Sequence, residues 1–309
     1  ISMYDLIIIG AGPAAFGASI YASRYKIKHL MIGKELGGQI VKTSRIENWP
    51  GVESITGPEL TQNFSNQAKK LGAEIIQDEV RKLTKQGGFF EVEESNGKKY
   101  QAKSIILALG MKPRKLNVPG EDEFVGKGVS YCTICDAMFF RGKDVAVVGG
   151  GDSAAKAAIH LSEFANKIYV FSSEKNLIME PALLDIIKQN EKIEIINCER
   201  VAEIKGNGKV SGIACNIKED SKDLKETPVS GVFIEIGYVP GIEIAEQIGV
   251  EADEDGYIMV KSDQSTNIEG VFAAGDVTTG SNKLRQLITS VSEGSIAASS
   301  VYQRIKLKN

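Results

Sequence analysis

Two stretches of the chain show the same order of hydrophobic and small residues. Each begins with a short apolar run, continues through closely spaced glycines and ends in an alanine-rich segment: "YDLIIIGAGPAAFGASIYASRYKI" from Tyr4 and "KDVAVVGGGDSAAKAAIHLSEFA" from Lys143. An apolar run without alternation is typical of a parallel strand buried on both faces, and the glycines and alanines favour a tight turn before a closely packed helix. A further apolar run follows each helix, "KHLMIG" and "KIYVF" respectively. Both stretches therefore predict a strand–helix–strand unit of the dinucleotide-binding type.

The pattern changes between and after these two units. "FFEVEESNGKKYQAKSIILALG" alternates around a turn signal at residues 95–98, which predicts antiparallel strands joined by a hairpin. "IEIGYVPG" at 234–241 indicates a return to the first domain. "GVFAAGDV" at 270–277 predicts a buried strand ending in Gly-Asp, and a last helix is predicted from about 283 to 305. The predicted fold class is α/β, with two Rossmann-like (three-layer ββα) dinucleotide-binding domains, the second inserted in the first. The first domain comprises residues 1–114 and 243–309, and the second comprises residues 115–242.

The composition agrees with a two-domain globular protein and narrows its partners. The 309 residues suffice for two domains, and 42% hydrophobic with 25% charged residues is ordinary for a globular chain. A formal net charge of −3 gives no basic surface for nucleic acid or an anionic membrane, and the apolar runs are too short to cross a bilayer. We therefore expect no nucleic-acid partner and no membrane. Because we find no export signal, and because four cysteines are too few for a disulfide-stapled secreted scaffold, we expect a cytoplasmic, reducing location.

The first glycine turn, "GAGPAA", has the spacing that binds a pyrophosphate. Gly10 would make the turn and Gly12 would let the backbone approach the anion, while Ala15 stands where a third glycine often lies. The helix N-terminus that follows offers free N–H groups and a partial positive charge. Glu35 lies after the second strand, about where a ribose-binding carboxylate belongs. Without the glycines, Glu35 would simply be interpreted as a solvated loop residue.

The second glycine turn, "GGGDSA", repeats the arrangement with Gly149, Gly151 and Ala154. The acid in the corresponding place after its second strand is Glu174, and Lys175 is the cation next to it. A carboxylate there accepts hydrogen bonds from a ribose 2′-hydroxyl and repels a 2′-phosphate, so the spacing favours NADH over NADPH. The alternative is that Glu174 faces water and this turn binds no coenzyme.

The segment "SYCTICDAMFF" contains a C-x-x-C pair, Cys132 and Cys135, directly before the second glycine turn. This spacing lets two thiols close a small disulfide at the start of a helix. Asp136 follows the second cysteine, and a carboxylate there can transfer the proton needed when a mixed disulfide collapses. The alternative for Asp136 is a helix-capping role, and the two roles are compatible.

A zinc site is the competing interpretation of the pair, and it would need two more ligands. The only histidines, His29 and His160, each lie in a predicted strand or helix. Cys198 and Cys215 have no ligand-like residue nearby. We therefore predict no metal and interpret both histidines and both later cysteines as structural.

Together these segments resemble the low-molecular-weight thioredoxin reductases over essentially the whole chain. The resemblance is carried by "GAGPAAFGA", "GGQI", "ENWPG", "GVSYCTICDAMFFRGKDVAVVGGGDSA", "GVFAAGDV" and "RQL". A cysteine pair placed directly before the second glycine turn is specific to this group, since other flavin disulfide reductases have it near the N-terminus. The resemblance implies a homodimer whose second domain rotates. It also implies a flavin-dependent oxidoreductase that reduces thioredoxin or a thioredoxin-like protein.

The resemblance also assigns roles to individual positions. It implies that Cys135 lies against the flavin, that Cys132 attacks the disulfide of the partner protein, and that Asp136 is the acid and base. Leu109 departs from the family, which has threonine there in an Ala-Thr-Gly pattern. The FAD-binding positions implied are Gly10, Gly12, Pro13, Ala14, Glu35, Gly38, Gln39, Asn48, Gly275, Asp276, Arg285 and Gln286. The positions implied for a nicotinamide dinucleotide are Gly149, Gly151, Asp152, Ser153, Ala154 and Glu174.

One departure from the family concerns the electron donor. NADPH-using relatives have His-Arg-Arg and a further Arg after the second strand of the nicotinamide domain, where this chain has Ser172, Ser173, Glu174 and Ile178. Losing these cations should cost several kcal/mol of 2′-phosphate binding, at roughly 1.5–3 kcal/mol per charged hydrogen bond. NADPH, NADH and a carrier such as ferredoxin therefore compete as donor. A nicotinamide–ferredoxin oxidoreductase without thiol chemistry is a further alternative, against which the C-x-x-C pair argues.

Overall fold

The computed structural model describes residues 2–43, 45–217 and 224–308. Within these residues, no helix is both long enough and apolar enough to cross a membrane. In chain order the elements are β1 (Ser2–Ile9), α1 (Pro13–Arg24), β2 (His29–Ile32), α2 (Gly57–Lys70), β3 (Glu74–Ile76), β4 (Val80–Gln86), β5 (Phe89–Glu94), β6 (Lys99–Leu107), β7 (Met111–Pro113), β8 (Val129–Ser130), α3 (Thr133–Asp136), β9 (Asp144–Val148), α4 (Asp152–Leu161), β10 (Lys167–Ser172), α5 (Pro181–Gln189), β11 (Ile193–Asn197), β12 (Arg200–Gly206), β13 (Val210–Asn216), β14 (Leu224–Pro228), β15 (Gly231–Ile234), β16 (Tyr238–Pro240), α6 (Glu243–Glu246), β17 (Val271–Ala273) and α7 (Leu287–Lys308).

The chain divides into two compact units. The first unit comprises Ile1–Lys112 with Val239–Asn309, and the second unit comprises Pro113–Tyr238. Each contains one of the two strand–turn–helix stretches that the sequence analysis identified. The two α/β dinucleotide-binding units predicted from the sequence are therefore confirmed, with the second inserted in the first.

The sheet of the first unit has the order β3-β2-β1-β6-β5-β4, and β17 pairs with the end of β6. β1 runs parallel to both β2 and β6, whereas β4, β5 and β6 form an antiparallel meander. The turn at residues 95–98 joins β5 to β6, as predicted. Leu6 and Ile8 pack into the cluster that includes α1 and α7, and Ile7 and Ile9 pack into the cluster on the other face. Because both faces of β1 are covered, its sequence is apolar without alternation.

Helices α1 and α7 approach each other closely enough that backbone touches backbone. A Cβ at Gly17 would lie 2.4 Å from the Val291 carbonyl oxygen, and a Cβ at Gly294 would lie 2.0 Å from that of Ala14. Glycine at these two positions therefore lets α7, from the end of the chain, pack on the first helix of the chain.

The last helix starts later than the sequence analysis predicted. It begins at Leu287 and not at about residue 283. Ser281, Asn282 and Lys283 have φ values of 47°, 53° and 57°, which is left-handed backbone that an α-helix cannot include. The predicted start was wrong because apolar periodicity carries no information about this non-helical turn.

The second unit has three layers. Its central sheet is parallel, in the order β11-β10-β9-β15-β8. One face of this sheet packs against α4 and α5, and the other face packs against the antiparallel sheet β12-β13-β14. This helix–sheet–sheet arrangement is the predicted three-layer ββα fold. It places the turn after β9, the end of β15 and the segment with the C-x-x-C pair near the carboxyl ends of parallel strands, where α/β proteins bind ligands.

Candidate active site

Gly10 closes the turn between β1 and α1, and its conformation is one that glycine tolerates best. Its φ is +126°, and a Cβ there would lie 2.1 Å from the Ala108 carbonyl oxygen. Its N–H donates to the Ile32 carbonyl oxygen at 2.7 Å. Gly10 is therefore required by the packing of its own unit, whatever the turn binds.

Gly12, the N-cap residue of α1, has a different environment. The nearest heavy atom to a Cβ there is 4.0 Å away, so the space above Gly12 is open. No side chain caps α1, no acid lies in its first turn, and Pro13 occupies the first helical position, where a missing N–H costs nothing. The free N–H groups and the positive end of the helix dipole therefore face an open space that fits the pyrophosphate of a dinucleotide.

The segment after β2 folds back on this turn. Gly38 donates its N–H to the Glu35 carbonyl oxygen at 2.9 Å, and a Cβ at Gly38 would lie 3.3 Å from the Cα of Gly12. The carboxylate of Glu35 is 3.8 Å from the Lys42 ammonium, and both side chains are about half exposed. Glu35 is thus free to reorient toward a ribose hydroxyl, because a surface ion pair of this kind is weak.

A hydrogen bond joins two of the FAD positions implied by the resemblance. The Asn48 side-chain amide donates to the Gln286 Oε1 at 3.0 Å, across a sequence separation of 238 residues. The Gln39 side-chain amide donates to the Met111 carbonyl oxygen at 2.7 Å. The structure therefore brings Asn48 and Gln286, from the two ends of the chain, to one place in the first unit.

Asp276 follows β17 and lies close to α7. Its carboxylate accepts a hydrogen bond from the Ser290 hydroxyl at 2.7 Å. Burial raises its pKa, while the Ser290 hydrogen bond and the charge of Arg285 act in the opposite direction. The Arg285 guanidinium lies over the ring of Tyr257, 4.3 Å from its centroid. A partly buried carboxylate beside an ordered cation is suited to the hydroxyl-rich part of a flavin dinucleotide.

Glu293 is a residue of this site that the sequence analysis missed. It is buried on α7, where its Oε2 accepts from the Gly275 N–H at 2.8 Å and from the Thr278 hydroxyl at 2.9 Å. Gly275 has φ +85°, and a Cβ there would lie 2.9 Å from the Cβ of Ala14. Glu293 therefore fixes the turn that carries Asp276 against α1. The buried N–H of the Gly-Asp turn requires an acceptor, but the sequence does not indicate which residue supplies it.

The two glycines of the first turn should respond differently to replacement by alanine. Gly12→Ala should fold with its thermal midpoint little changed, because its Cβ meets open space, but should lose FAD by at least about tenfold in affinity because the methyl occupies the anion site. Gly10→Ala should fail to give soluble protein, because its Cβ overlaps the Ala108 carbonyl. Flavin content after purification and a melting curve check both variants. Full flavin in Gly12→Ala would contradict this assignment of the pyrophosphate.

The redox pair lies in the second unit, between β8 and the short helix α3. Cys132 and Cys135 are joined by a disulfide, with their Cα atoms 5.4 Å apart. The Ser130 hydroxyl donates to Asp136 Oδ2 at 2.6 Å and accepts from the Cys132 N–H at 3.0 Å. Asp136 is thus linked to the backbone of Cys132 through Ser130, a residue that the sequence analysis did not identify. Cys135 is the more exposed cysteine of the pair, and Cys132 is partly buried.

The second glycine turn resembles the first in its geometry. Gly149 has φ +146°, and a Cβ there would lie 2.3 Å from the Glu235 carbonyl oxygen, so this glycine is required by packing. Gly151 is the N-cap residue of α4 and has no capping side chain, and a Cβ there would meet no described heavy atom within 4 Å. As in the first unit, one glycine is needed by the fold and the other opens the helix N-terminus to a ligand.

The first turn of α4 differs from that of α1 in its charge. Asp152 places a carboxylate there, and its Oδ1 accepts from the Glu180 N–H at 2.8 Å. Ser153 is exposed, and Ala154 is fully buried against the sheet. The carboxylate opposes an anionic ligand, so this turn fits a pyrophosphate less well than the turn of the first unit.

At the positions where NADPH-using relatives have cationic side chains, this chain has two serines, a glutamate and an isoleucine. Ser172 and Ser173 are buried, and the Ser172 hydroxyl donates to the Ser173 carbonyl oxygen at 3.2 Å. Ile178 is 78% exposed. Glu174 begins a 3-10 turn that ends at Asn176, and its side chain, to which ribose binding was assigned, lies outside the described part of the structure.

Cys198 and Cys215 form a second disulfide, which the sequence analysis did not predict. Their Cα atoms are 5.9 Å apart, and the two residues are 5% and 0% exposed. The bond ties the segment before β12 to β13 and closes a loop of seventeen residues. In the chain-entropy description such a loop stabilises the fold by about 3 kcal/mol. Its burial removes it from reductants and partners, so it is a structural bond.

The histidines occupy the structural positions that were predicted for them. His29 lies in β2, where its Nε2 is 2.9 Å from the Ser19 hydroxyl and its Nδ1 is 3.1 Å from the Ile27 carbonyl oxygen. Burial lowers its pKa, so its neutral form is favoured. His160 lies in α4 with its ring against Phe164. The described residues include no group of three or more His, Cys, Asp or Glu side chains placed to hold a metal ion.

Comparison with known proteins places this architecture in a family. A profile of the pyridine nucleotide-disulphide oxidoreductases matches residues 4–294. Thioredoxin reductase of Bacillus subtilis (strain 168) is 40% identical over 306 residues, covering 98% of this chain and 95% of the relative. The crystal structure of Lactococcus lactis thioredoxin reductase has a TM-score of 0.83 and 35% identity, covering 98% of this chain and 99% of the other. A ferredoxin-flavin thioredoxin reductase from Clostridium acetobutylicum has a TM-score of 0.55 and 30% identity, covering 99% of both chains.

Proposed function

The chain belongs to the thioredoxin reductases, within the pyridine nucleotide-disulphide oxidoreductase family, and we propose which of its residues carry out each step of the reaction. It is an FAD-dependent disulfide reductase acting on thioredoxin or a thioredoxin-like protein. The observation that carries this function is the disulfide between Cys132 and Cys135, with Asp136 linked to Cys132 through Ser130.

The domains and the cofactor residues are assigned as part of this proposal. Residues 1–114 and 243–309 bind FAD through the three segments that contain Gly12, Asn48 and Asp276. Residues 115–242 form the nicotinamide-type domain that carries the redox pair. The open helix N-terminus at Gly12 and the hydrogen bond between Asn48 and Gln286 support the FAD assignment. A homodimer and a cytoplasmic location are proposed from the family resemblance.

Disulfide exchange requires only the two cysteines and one proton donor. FAD, when bound, would supply the electron pair that reduces the Cys132–Cys135 disulfide, which with one proton gives the Cys132 thiolate and the Cys135 thiol. The Cys132 thiolate then attacks one sulfur of the partner's disulfide, and the partner sulfur that leaves takes a proton from Asp136. Cys135 next gives its thiol proton to the Asp136 carboxylate and attacks Cys132 Sγ, which re-forms the internal disulfide, and the second partner sulfur leaves as a thiol by taking that proton from Asp136. Two electrons and two protons pass to the partner in each cycle.

The surface around the redox pair is suited to a protein substrate. Ile134, Met138 and Phe139 are 56%, 63% and 65% exposed, and all three lie within four residues of a redox cysteine. Large exposed apolar side chains of this kind are typical of a surface that another protein covers. This supports a protein disulfide over a small-molecule disulfide as the substrate.

The electron donor is the finer part of the proposal, and NADH is favoured over NADPH. Ser172 and Ser173 are uncharged and buried, so neither can bind a 2′-phosphate by a charged hydrogen bond. A ferredoxin is the second candidate. It is favoured by the carboxylate of Asp152 in the first turn of α4, which opposes an anionic coenzyme. The likeness to a ferredoxin-flavin thioredoxin reductase also favours a ferredoxin.

An anaerobic titration followed by a turnover assay tests the function and the donor together. Bleaching of the flavin band is recorded with NADH, NADPH and dithionite, and the reduced enzyme is then mixed with oxidised thioredoxin. Bleaching by NADH with re-oxidation by thioredoxin is the expected result. Bleaching by dithionite alone would assign electron supply to a protein donor. A reduced enzyme that thioredoxin cannot re-oxidise would contradict the proposed function.

A further inference from the structure

A carboxylate that the mechanism above does not use lies beside the redox pair. Glu235 directly follows β15, and its N–H donates to the Val148 carbonyl oxygen at 2.8 Å, which fixes its backbone at the ends of two central strands. Its Oε1 accepts a hydrogen bond from the Thr133 hydroxyl at 2.8 Å. Thr133 is buried and lies between the two redox cysteines in the sequence. This side-chain hydrogen bond therefore connects the redox segment to the carboxyl ends of the central strands β9 and β15, in addition to the Ser130 bonds from the edge strand β8.

This hydrogen bond contributes more to the order of the redox segment once the disulfide opens. Helix α3 has four residues, and the backbone bond from the Asp136 N–H to the Cys132 carbonyl oxygen is 3.2 Å long. A single turn of helix is marginal by itself. With the disulfide closed, that bond and the Ser130 hydroxyl contact the backbone of Cys132, and the Thr133–Glu235 pair holds the next residue. Opening the disulfide removes the covalent constraint and leaves the order of Cys132 to hydrogen bonds of this kind. Ser130 ends the edge strand β8, directly before the redox cysteines in the chain, whereas Glu235 follows the central strand β15 and is bonded through its backbone to the end of β9.

Burial makes the charged form of Glu235 unfavourable. Its pKa is raised by burial, against which the Thr133 hydrogen bond acts. Burial and the charge of Glu235 raise the pKa of the Tyr238 phenol. The other acids on the adjoining helices have partners of their own: Asp136 accepts from a serine hydroxyl, and Asp152 accepts from a backbone N–H. A carboxylate with a raised pKa destabilises the fold when it ionises, and a neutral amide would make the same hydrogen bond without that cost.

We propose that Glu235 is a positioning residue for disulfide exchange, which holds Thr133, and through it the Cys132 backbone, in the geometry that attack on a partner disulfide requires. The inference rests on the proposed function. Thiol–disulfide exchange needs the attacking sulfur in line with the bond that breaks, so a small loss of order at Cys132 reduces the rate without removing either thiol.

Four single variants separate the hydrogen bond from the charge. Thr133→Val and Glu235→Ala break the hydrogen bond, whereas Thr133→Ser and Glu235→Gln keep a donor and an acceptor and serve as matched controls. We expect the first two to lower kcat for thioredoxin about tenfold, the effect of losing one hydrogen bond, with KM unchanged. The controls should keep at least half of the activity, and Thr133→Val combined with Glu235→Ala should be no slower than either change alone. Equal kcat values in Thr133→Val, Thr133→Ser and the unmodified protein would overturn the proposal.

Two further measurements do not depend on thioredoxin as the substrate. The dithiol of each variant, prepared by reduction, is reacted with an aromatic disulfide reagent, and Thr133→Val should again be about tenfold slower than Thr133→Ser. If this difference appears while thioredoxin is not reduced at all, the positioning role stands and the proposed substrate is wrong. If it is absent, the positioning role is wrong even where thioredoxin is reduced.

The second measurement is the thermal midpoint of Glu235→Gln as a function of pH. The folded-state pKa of Glu235 lies above its ordinary value, so the unmodified chain loses stability as pH rises through that folded-state pKa. Glu235→Gln should therefore melt higher than the unmodified protein at pH 8 and equal to it at pH 4. A lower midpoint at pH 8 would indicate a purely stabilising role and would contradict the proposal.

Discussion

Replacing Cys135 with serine should abolish thioredoxin reduction and leave FAD bound. The serine oxygen cannot attack Cys132 Sγ, so the cycle stops at the mixed disulfide, and we expect turnover to fall by on the order of 10³-fold or more. The residues proposed to hold FAD belong to the other unit of the chain, where Asn48 bonds to Gln286 and Asp276 bonds to Ser290. The measurement is thioredoxin turnover with dithionite-reduced enzyme, together with the flavin absorbance of the purified variant. Surviving disulfide reduction would show that the proposed mechanism is wrong.

The same experiment identifies the attacking sulfur when Cys132→Ser is included. The resemblance assigns attack to Cys132, whereas Cys135 is the more exposed cysteine in the structure. If Cys132 is the attacking sulfur, a mixed disulfide with thioredoxin should accumulate in Cys135→Ser and not in Cys132→Ser. Its mass on a non-reducing gel identifies it. The reverse result would exchange the two roles. Cys198→Ala with Cys215→Ala is the matched control, because it removes the buried disulfide and should lower stability without affecting turnover.

The fold was predictable from the sequence because its main elements have local signatures. A strand covered on both faces is apolar without alternation, as β1 and β9 show, and the turn after it needs glycine for reasons of backbone geometry. Both properties lie within a few neighbouring residues. The same holds for the hairpin between β5 and β6. The positions of Gly10 and Gly12 could therefore be recognised before any tertiary contact was known.

The site contains residues that no local pattern marks. Glu293 and Glu235 act through partners 15 to 18 and 102 residues away, and an acid in a helix or after a strand otherwise indicates a solvated residue. Ser130 has its effect only because Asp136 and the Cys132 N–H converge on its hydroxyl. The pairing of Cys198 with Cys215 depends on the register of β13 against the segment before β12. These features follow from the tertiary fold, so a sequence pattern alone could not identify them.

Restoring two cations should convert the second unit into a site for NADPH. Ile178 is 78% exposed, so an arginine there meets no steric barrier, whereas Ser172 and Ser173 are buried and would place a guanidinium inside the unit. We therefore expect the double change of Glu174→Arg and Ile178→Arg to be tolerated. At roughly 1.5–3 kcal/mol for each charged hydrogen bond, it should raise kcat/KM for NADPH relative to NADH by about hundredfold or more. Thioredoxin-coupled oxidation of each coenzyme measures this ratio.

A matched control distinguishes attraction of the 2′-phosphate by the new arginines from loss of its repulsion by the Glu174 carboxylate. Glu174→Gln with Ile178→Gln removes the carboxylate without adding charge, and it should raise the NADPH to NADH ratio by much less than the arginine pair, because a 2′-phosphate gains most from bidentate guanidinium contacts. The gain in the arginine variant should also diminish with rising salt, because exposed charges are screened. If the arginine pair leaves the enzyme unable to use either coenzyme while dithionite still supports thioredoxin reduction, the second glycine turn is not a coenzyme site. The carboxylate of Asp152 at the helix N-terminus would then be the physical reason, and the electrons would have to come from a protein donor.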